Sequence, residues 1–230
     1  MAAASPAAAP SVATHAWPWP RAAELLYDVE GQARGVGYHA RATLQWQADG
    51  RHYDLALTLR ALWLQRSQHS HGELGPGGLR PRQFADRARR ERTLSFAWGP
   101  DGAGQALRED GSSSAAVPAG TQDRLSLFVQ LGALLLRDGA APGQRWTLPV
   151  AGWGGPALWT FEVGGTETLV LGGTPTSAVR VQRLGPGDEV QITLWYQPTW
   201  APLPVRVLLQ ETDGQRVDQT LREARLDSGS

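Results

Sequence analysis

The residues whose types best suit chemistry are two histidines and a glutamate that alternate along the chain. On an extended strand His69, His71 and Glu73 would share one face, and two imidazoles with a carboxylate form a ligand set for zinc or iron. Glycines crowd the stretch that follows Gly72, which indicates that the strand ends here. We therefore favour a solvated strand end, with a metal-dependent enzyme as the alternative.

A second residue with catalytic potential is Ser126, close to Asp123. A serine hydrolase needs a serine, a histidine and an acid within hydrogen-bonding reach, and its serine commonly follows a sharp strand-to-helix turn. Ser126 instead lies in a leucine-rich segment of helical length, where a serine hydroxyl usually bonds to the backbone. We predict no catalytic residue, no cofactor and no enzymatic activity for this chain.

The composition excludes several classes of protein. The 22 basic residues, all arginine, are balanced by 22 acidic ones, and there is no cysteine. Without cysteine the chain can form neither a disulfide nor a thiolate metal site. Nucleic-acid-binding proteins usually carry an excess of positive charge, so the balanced charge predicts no nucleic-acid partner. We interpret the arginine-rich stretch 80–92 as a solvated strand face, with binding of phosphate or anionic lipid head groups as the alternative.

Apolar and polar residues alternate along much of the chain, which is the period of a half-buried β-strand. Residues 40–47 and 53–60 alternate on either side of Asp49-Gly50, a pair that favours a tight hairpin turn. The same period returns over 157–163, 179–182, 190–196, 205–209 and 217–221. This pattern predicts a mainly β protein, a curved antiparallel meander that forms an open or closed barrel.

One segment, 123–137, breaks this period and has the length and leucine content of an α-helix. Thr121 or Asp123 is placed to cap its beginning, and Gly139 to end it. Its apolar residues lie nearly all round, so we predict that it packs on or in the barrel. We expect the buried set on the helix and sheet to be Leu125, Phe128, Leu131, Leu135, Leu136, Trp46, Leu57, Trp159 and Ile192.

The first twenty residues are rich in alanine and proline and cannot form a core. We predict a disordered tail or linker over 1–20 and a single β-rich domain over 21–227. The chain shows neither a charged segment followed by an apolar one, as in a signal peptide, nor a transmembrane segment.

Ten tryptophans are many for this length, and large aromatic side chains both fill cores and line apolar ligand sites. Trp195 lies opposite Ile192 and Leu194 in the alternation, which indicates either an exposed tryptophan or a second apolar layer. The predicted ligand-binding residues are Trp63, Phe128, Leu135, Trp159 and Trp195.

An ordered set of short motifs runs through the chain. It comprises Tyr27, Gly35, Tyr53, Ser70-x-Gly72, Gly78-Leu79-x-Pro81-x-x-Phe84, Phe96, Gln122-Asp123-x-Leu125-Ser126, Trp195 and Pro204-Val205-Arg206. In this order and spacing, residues 22–226 resemble the bacterial domain-of-unknown-function family 3108. The resemblance implies a β-rich protein of the cell envelope, usually exported to the periplasm. It implies no established activity and no catalytic residues.

Two functions remain open at this point. The first is a non-enzymatic envelope protein that binds an apolar ligand, such as a lipid or acyl chain, in the concave face of the sheet. The alternative is a structural or interaction protein of the envelope, with a filled core and no small-molecule ligand, that contacts a protein partner through its edge strands. The shape of the interior distinguishes the two.

Overall fold

The computed structural model describes residues 17–33, 35–61, 65–111, 114–186 and 189–227. It contains fourteen strands and one helix. The strands are β1 Ala22–Ala33, β2 Val36–Ala48, β3 His52–Arg60, β4 Gln65–Gly75, β5 Gly78–Arg87, β6 Glu91–Trp98, β7 Gly104–Arg108, β8 Ser114–Val117, β9 Arg145–Gly152, β10 Gly155–Leu171, β11 Thr174–Leu184, β12 Gln191–Tyr196, β13 Pro204–Gln210 and β14 Arg216–Asp227. The helix, α1, covers Ser126–Asp138 and lies in sequence between β8 and β9.

All strands form one antiparallel sheet, as the alternating pattern predicted. The order is β8-β7-β6-β5-β4-β3-β2-β1-β14-β13-β12-β11-β10-β9, so two meanders join where the first strand pairs with the last. The sheet curls into a nearly closed barrel. A mainly β fold with one apolar helix is therefore confirmed.

The hairpin of β2 and β3 shows how local sequence sets the register. Asp49 Oδ1 accepts hydrogen bonds from the backbone N–H groups of Arg51 and His52, at 2.8 and 2.6 Å. Gly50 has a φ of 89°, a conformation that glycine adopts at little cost. The turn pairs Trp46 with Leu55 and so places apolar residues of both strands on the inner face.

The helix fills the interior of the barrel. Its residues from Ser126 to Leu135 are all buried. Leu125 and Val129 belong to an apolar cluster with residues of β1–β6, whereas Leu131 belongs to a second cluster built mainly from β9–β13. Helix α1 therefore packs between the two meanders and covers the inner face of each.

Most of the burial expected at this interface is confirmed. Leu125, Phe128, Leu131, Leu135, Trp46 and Ile192 are all at least nine-tenths buried. Leu136, Leu57 and Trp159 are only partly buried. The partial burial of Leu57 and Trp159 has a physical cause, because both line a cavity described below.

Gln122, the residue before the helix cap, connects the edge strand β9 with β5. Gln122 forms an isolated parallel bridge with β9: its N–H donates to Pro149 O at 2.9 Å, and Ala151 N–H donates to Gln122 O at 2.8 Å. The Gln122 side chain also donates to Leu79 O on β5 at 2.8 Å. From α1, Gln130 Oε1 accepts from Leu79 N–H at 2.8 Å. The two glutamine side chains thus form hydrogen bonds with the N–H and C=O groups of Leu79, which lies outside the pairing of β5 with β6.

The cap of the helix is Asp123, which the sequence offered as one of two choices. Its Oδ1 accepts from the N–H groups of Leu125 and Ser126, each at 2.8 Å, and Ser126 Oγ accepts from Asp123 N–H at 3.0 Å. This reciprocal arrangement resembles a capping box. The helix begins at Ser126 rather than at residue 123, and a turn precedes it, in which Leu127 N–H donates to Asp123 O at 3.1 Å and Phe128 N–H donates to Leu125 O at 3.2 Å.

The packed chain begins before the boundary expected at residue 21. Trp17 and Trp19 stack with ring centroids 5.5 Å apart, and Trp19 lies 5.8 Å from the Trp46 ring. Arg137 at the end of α1 lies over the Trp17 ring at 4.1 Å. These aromatic contacts bring residues 17–20 onto the barrel despite their proline-rich composition. Among the described residues, no helix has the length and apolar character to cross a membrane.

Candidate functional site

A cavity of about 130 Å³ lies between the two meanders, beside the first turn of α1. Its apolar wall comes from β3, α1, β10, β12, β13 and β14, through Leu57, Phe128, Trp159, Ile192, Leu209 and Val217. These residues leave a gap because the helix begins at Ser126, so no earlier helical turn fills the space next to Phe128. A mainly apolar cavity between the strands and the helix is suited to an apolar ligand.

The cavity continues into a cleft of about 420 Å³. Arg124, Trp159, Val190 and Glu211 line both spaces. The cleft follows the β9–β10 hairpin, whose tip contains Gly152, Gly154 and Gly155 and therefore presents backbone rather than side chains. The site thus has an apolar inner part and a polar outer part.

Two arginines lie over the indole of Trp159, where the inner and outer parts meet. The guanidinium carbon of Arg183 is 4.3 Å from the ring centroid, and that of Arg124 is 6.0 Å away. Such cation–π contacts hold both guanidinium groups at the mouth of the cavity. Desolvation and then the charge of Arg66 lower the pKa of Arg124. The charges of Asp86 and Glu211 oppose this shift, and the charge of Arg183 adds to it.

The two arginines differ in how their charges are compensated. Arg183 is buried; its terminal nitrogens bond to the Glu189 carboxylate and to Val190 O, the latter at 2.8 Å. Its Nε is buried and has no hydrogen-bond partner within the described residues. Arg124 is exposed, and across the described ranges it makes neither a salt bridge nor a hydrogen bond.

A third arginine, Arg66, lies on the opposite wall and is fully paired. Its Nε and a terminal nitrogen bond to the two oxygens of Asp86, at 3.0 and 2.5 Å, and Gln68 Nε2 donates to the same carboxylate at 3.2 Å. Burial favours the protonated acid, but the hydrogen bonds from Arg66 prevail and lower the pKa of Asp86. This pair is a rigid part of the wall.

Comparison with known proteins identifies the family. The family model described as "Protein of unknown function (DUF3108)" matches residues 27–222. The chain belongs to the DUF3108 family. Comparison with curated protein sequences found no match.

Two solved structures match this DUF3108 protein over most of its length. A β-barrel-like protein of the domain of unknown function DUF1849 from Brucella abortus has a TM-score of 0.58 and 11% sequence identity, over 92% of this chain and 99% of the other. That likeness supports the fold alone. An outer membrane lipoprotein-sorting protein domain from Vibrio parahaemolyticus has a TM-score of 0.32 and 6% identity, over 91% and 86% of the two chains. The second likeness is too distant to support an inference.

The five predicted ligand-binding residues do not form one site. Phe128 and Trp159 line the cavity. Leu135 does not reach it, because the later turns of the helix pack into the filled part of the core. Trp63 lies outside the described residues.

Trp195 belongs to a second apolar layer on the outside of the barrel. This is one of the two possibilities indicated by its position in the alternation, opposite Ile192 and Leu194. It is buried, its Nε1 donates to Glu167 Oε2 at 2.8 Å, and Arg206 lies over its ring at 4.7 Å. The far end of the β10–β11 hairpin folds over this face, so closely that a Cβ on Gly172 would lie 2.5 Å from Arg222 O. Trp195 therefore does not line the cavity.

The two histidines and the glutamate interact with other side chains. His69 Nε2 lies 2.8 Å from Asp54 Oδ2, and Arg82 donates to Glu73 at 2.6 Å. His71 and Glu73 border an open outer groove of about 620 Å³. Within the described residues, no group of three or more His, Cys, Asp or Glu side chains is placed to hold a metal ion.

Ser126, the other residue with catalytic potential, is completely buried. Its hydroxyl bonds to the backbone of Asp123, which is the structural role expected for a serine at the start of a helix.

Sequence reasoning missed the arginines of the mouth. Arg124 occupies the unspecified position of the Gln-Asp-x-Leu-Ser motif. Arg66 lies at the start of β4 on the face of Ser70, and Arg183 lies at the end of β11 on the buried face of Val181. The one sequence feature that marks Arg124 is its position directly after the buried cap Asp123, where the side chain points out of the barrel interior.

Proposed function

We propose that this DUF3108 protein is a non-enzymatic protein of the bacterial cell envelope that binds an apolar ligand, such as a lipid or acyl chain, in the barrel. The observation that supports this function is the apolar cavity beside Phe128 and Trp159, which continues into an outer cleft. Protein interiors normally pack without voids, so this space favours a ligand-binding barrel over a filled one.

The size of the cavity limits what it can hold. An engineered cavity of about 150 Å³ in another protein binds benzene, so about 130 Å³ has room for about six carbons. Burial of about six methylenes at ~0.8 kcal/mol each gives about 5 kcal/mol, which corresponds to a Kd of about 0.3 mM for the chain end alone. A tighter ligand must therefore also contact the outer cleft.

Titration of 1-octanol, followed by calorimetry and by intrinsic fluorescence of Trp159 and the other tryptophans, tests this function directly. We expect saturable binding with a Kd near or below 1 mM. Val217→Phe should fill the cavity and weaken this binding by tenfold or more, because Val217 lines it.

Val170→Phe is the matched control, since Val170 is an exposed valine on the outer face of β10. It should bind 1-octanol as the wild type does. Absence of saturable binding to the wild type, or equal binding by Val217→Phe, would contradict the proposal.

The envelope location rests on the family resemblance and needs its own test. Cells that produce the full gene product with a C-terminal tag should release it with the periplasmic contents or retain it in the membrane fraction. Recovery with a cytoplasmic marker enzyme would contradict the location while leaving ligand binding open.

A second function, that of an envelope interaction protein, is favoured by the dense packing of the rest of the interior. Ten consecutive helix residues, from Ser126 to Leu135, are buried, so most of the barrel is solid. Under this function octanol would not bind, and affinity purification from envelope extracts would recover a stoichiometric partner. Loss of that partner on introducing proline into the edge strand β9 would identify the contact.

A further inference from the structure

We infer that the ligand is an amphiphile with an anionic head group, and that Arg124 and Arg183 bind this head in the outer cleft while the apolar end enters the cavity. This inference rests on the proposed function and specifies its ligand class. Carboxylate and phosphate head groups share the required chemistry, because both present oxygens that a guanidinium group binds through paired hydrogen bonds.

The position of the two guanidinium groups is the first support. Both lie over Trp159, and Trp159 lines the cavity as well as the cleft. An apolar chain that ends beside the indole therefore places its head group next to both arginines. The chain and the head group are contiguous in the site, as they are in an amphiphile.

Unused hydrogen-bonding capacity is the second support. Arg183 is buried and its Nε lacks a partner in the described part of the chain, so its hydrogen-bonding capacity is not fully used by the protein. Arg124 has all its donors available, and glycine at position 152 makes room for it, since a Cβ there would lie 3.1 Å from Arg124 Nε. The Arg124 guanidinium group thus occupies the space that a side chain at position 152 would take, which holds it at the border of the cleft.

The charges at the mouth are not all positive. Glu189 is engaged by Arg183, and Glu211 lines both the cavity and the cleft without a salt bridge to a described residue. An anionic head would lie near Glu211, so this carboxylate should weaken its binding. Removal of the Glu211 charge should therefore strengthen the binding of an anionic head group, whereas removal of the Arg124 charge should weaken it.

The experiment compares ligands that share one chain, namely 1-octanol, octanoate, octyl phosphate and octyltrimethylammonium, by calorimetry at pH 7. We expect octanoate or octyl phosphate to bind about tenfold or more tightly than 1-octanol, and the cation to bind no better than the alcohol. The stronger of the two anions identifies a carboxylate or a phosphate head. Added salt should weaken anion binding and leave octanol binding unchanged.

Variants connect this preference to the named residues. Arg124→Gln should remove most of the advantage of the anion over the alcohol, and Glu211→Gln should increase it. Because both residues also line the cavity, each effect is measured as the ratio of the anion affinity to the 1-octanol affinity of the same variant. Arg92→Gln is the matched control, because Arg92 also lies over a tryptophan, Trp153, at 5.9 Å but borders neither the cavity nor the cleft.

The outcomes separate the two proposals. If octanol binds and Val217→Phe abolishes it, but the anions bind no more tightly and Arg124→Gln changes nothing, the anionic head group is wrong and the apolar site stands. If no ligand binds, the proposed function itself fails. If Arg124→Gln does not fold, the wild-type ligand series and Glu211→Gln still decide the question.

Discussion

Removal of the Asp123 carboxylate should destabilise the protein more than any other single polar change in the barrel. Its oxygens accept two backbone hydrogen bonds at the start of α1 and a third from Ser70 Oγ at 2.6 Å. Asp123 and Ser70 are completely buried, so no water can replace the lost partner. Asp123→Ala leaves two buried amide N–H groups unsatisfied.

The magnitude follows from those two amides. Each buried donor without a partner costs about 1–2 kcal/mol, so Asp123→Ala should lower the free energy of unfolding by about 2–4 kcal/mol. Asp123→Asn keeps an amide oxygen for both backbone donors and should cost only about 1 kcal/mol. Urea unfolding at pH 7, with the slopes compared to confirm two-state behaviour, measures both values.

The role of Tyr53 provides an internal check. Tyr53 Oη and Ser70 Oγ are 2.9 Å apart, so in the wild type Ser70 donates to Asp123 and Tyr53 donates to Ser70. In Asp123→Asn the new amide donates to Ser70, Ser70 donates to Tyr53, and the Tyr53 proton loses its acceptor. Tyr53→Phe should therefore cost about 1 kcal/mol in the wild type and much less in the Asp123→Asn background.

Ionisation adds a pH dependence of known sign. Burial raises the pKa of Asp123 above its ordinary value, and the hydrogen bonds from Ser70 and the backbone offset this only in part. The folded protein therefore holds the proton more tightly than the unfolded chain does, and stability falls as pH rises from the unfolded pKa through the folded one. Relative to Asp123→Asn, the wild type should gain stability as pH is lowered through that interval.

Two results would refute this reasoning. One is a loss of less than about 0.5 kcal/mol in Asp123→Ala, which would mean that the amides find other partners. The other is equal destabilisation by the alanine and asparagine variants, which would mean that the acceptor oxygen is not what matters.

Three further predictions concern the core and the cavity wall. Leu135→Ala should cost about 2–5 kcal/mol in thermal or urea unfolding and leave octanol binding unchanged, because Leu135 is buried away from the cavity. Tyr196→Phe should cost about 1 kcal/mol by the same assay, since the Tyr196 hydroxyl donates to Phe128 O at 2.6 Å in a buried site. Arg66→Met should cost about 1–2 kcal/mol at pH 7. Because the pKa of Asp86 is lowered in the fold, that deficit should shrink as pH falls from the ordinary carboxyl range through the folded pKa; a deficit independent of pH would contradict the pairing.

Local chemistry was enough to predict the hairpin of β2 and β3, several strands of the second meander and the single helix. The alternation around Asp49-Gly50 predicted the hairpin of β2 and β3, and the leucine-rich run predicted the single helix. Asp123 was recognisable as a candidate cap, because a short acidic side chain before an apolar helical segment can accept hydrogen bonds from the first backbone N–H groups of the helix. These features depend on residues close in sequence, so their physical causes are visible in the chain itself.

Tertiary structure alone decided which residues meet across the barrel. Trp159 and Trp195 both lie on strands with apolar neighbours, yet one lines the cavity and the other supports an outer layer, because the long β10–β11 hairpin folds back over the sheet. Arg124 and Arg183 are far apart in sequence and meet over Trp159 only after the strands have curled and the helix has entered the barrel. Sequence periodicity gives the face of a strand, whereas curvature and closure of the sheet depend on long-range packing and decide what that face contacts.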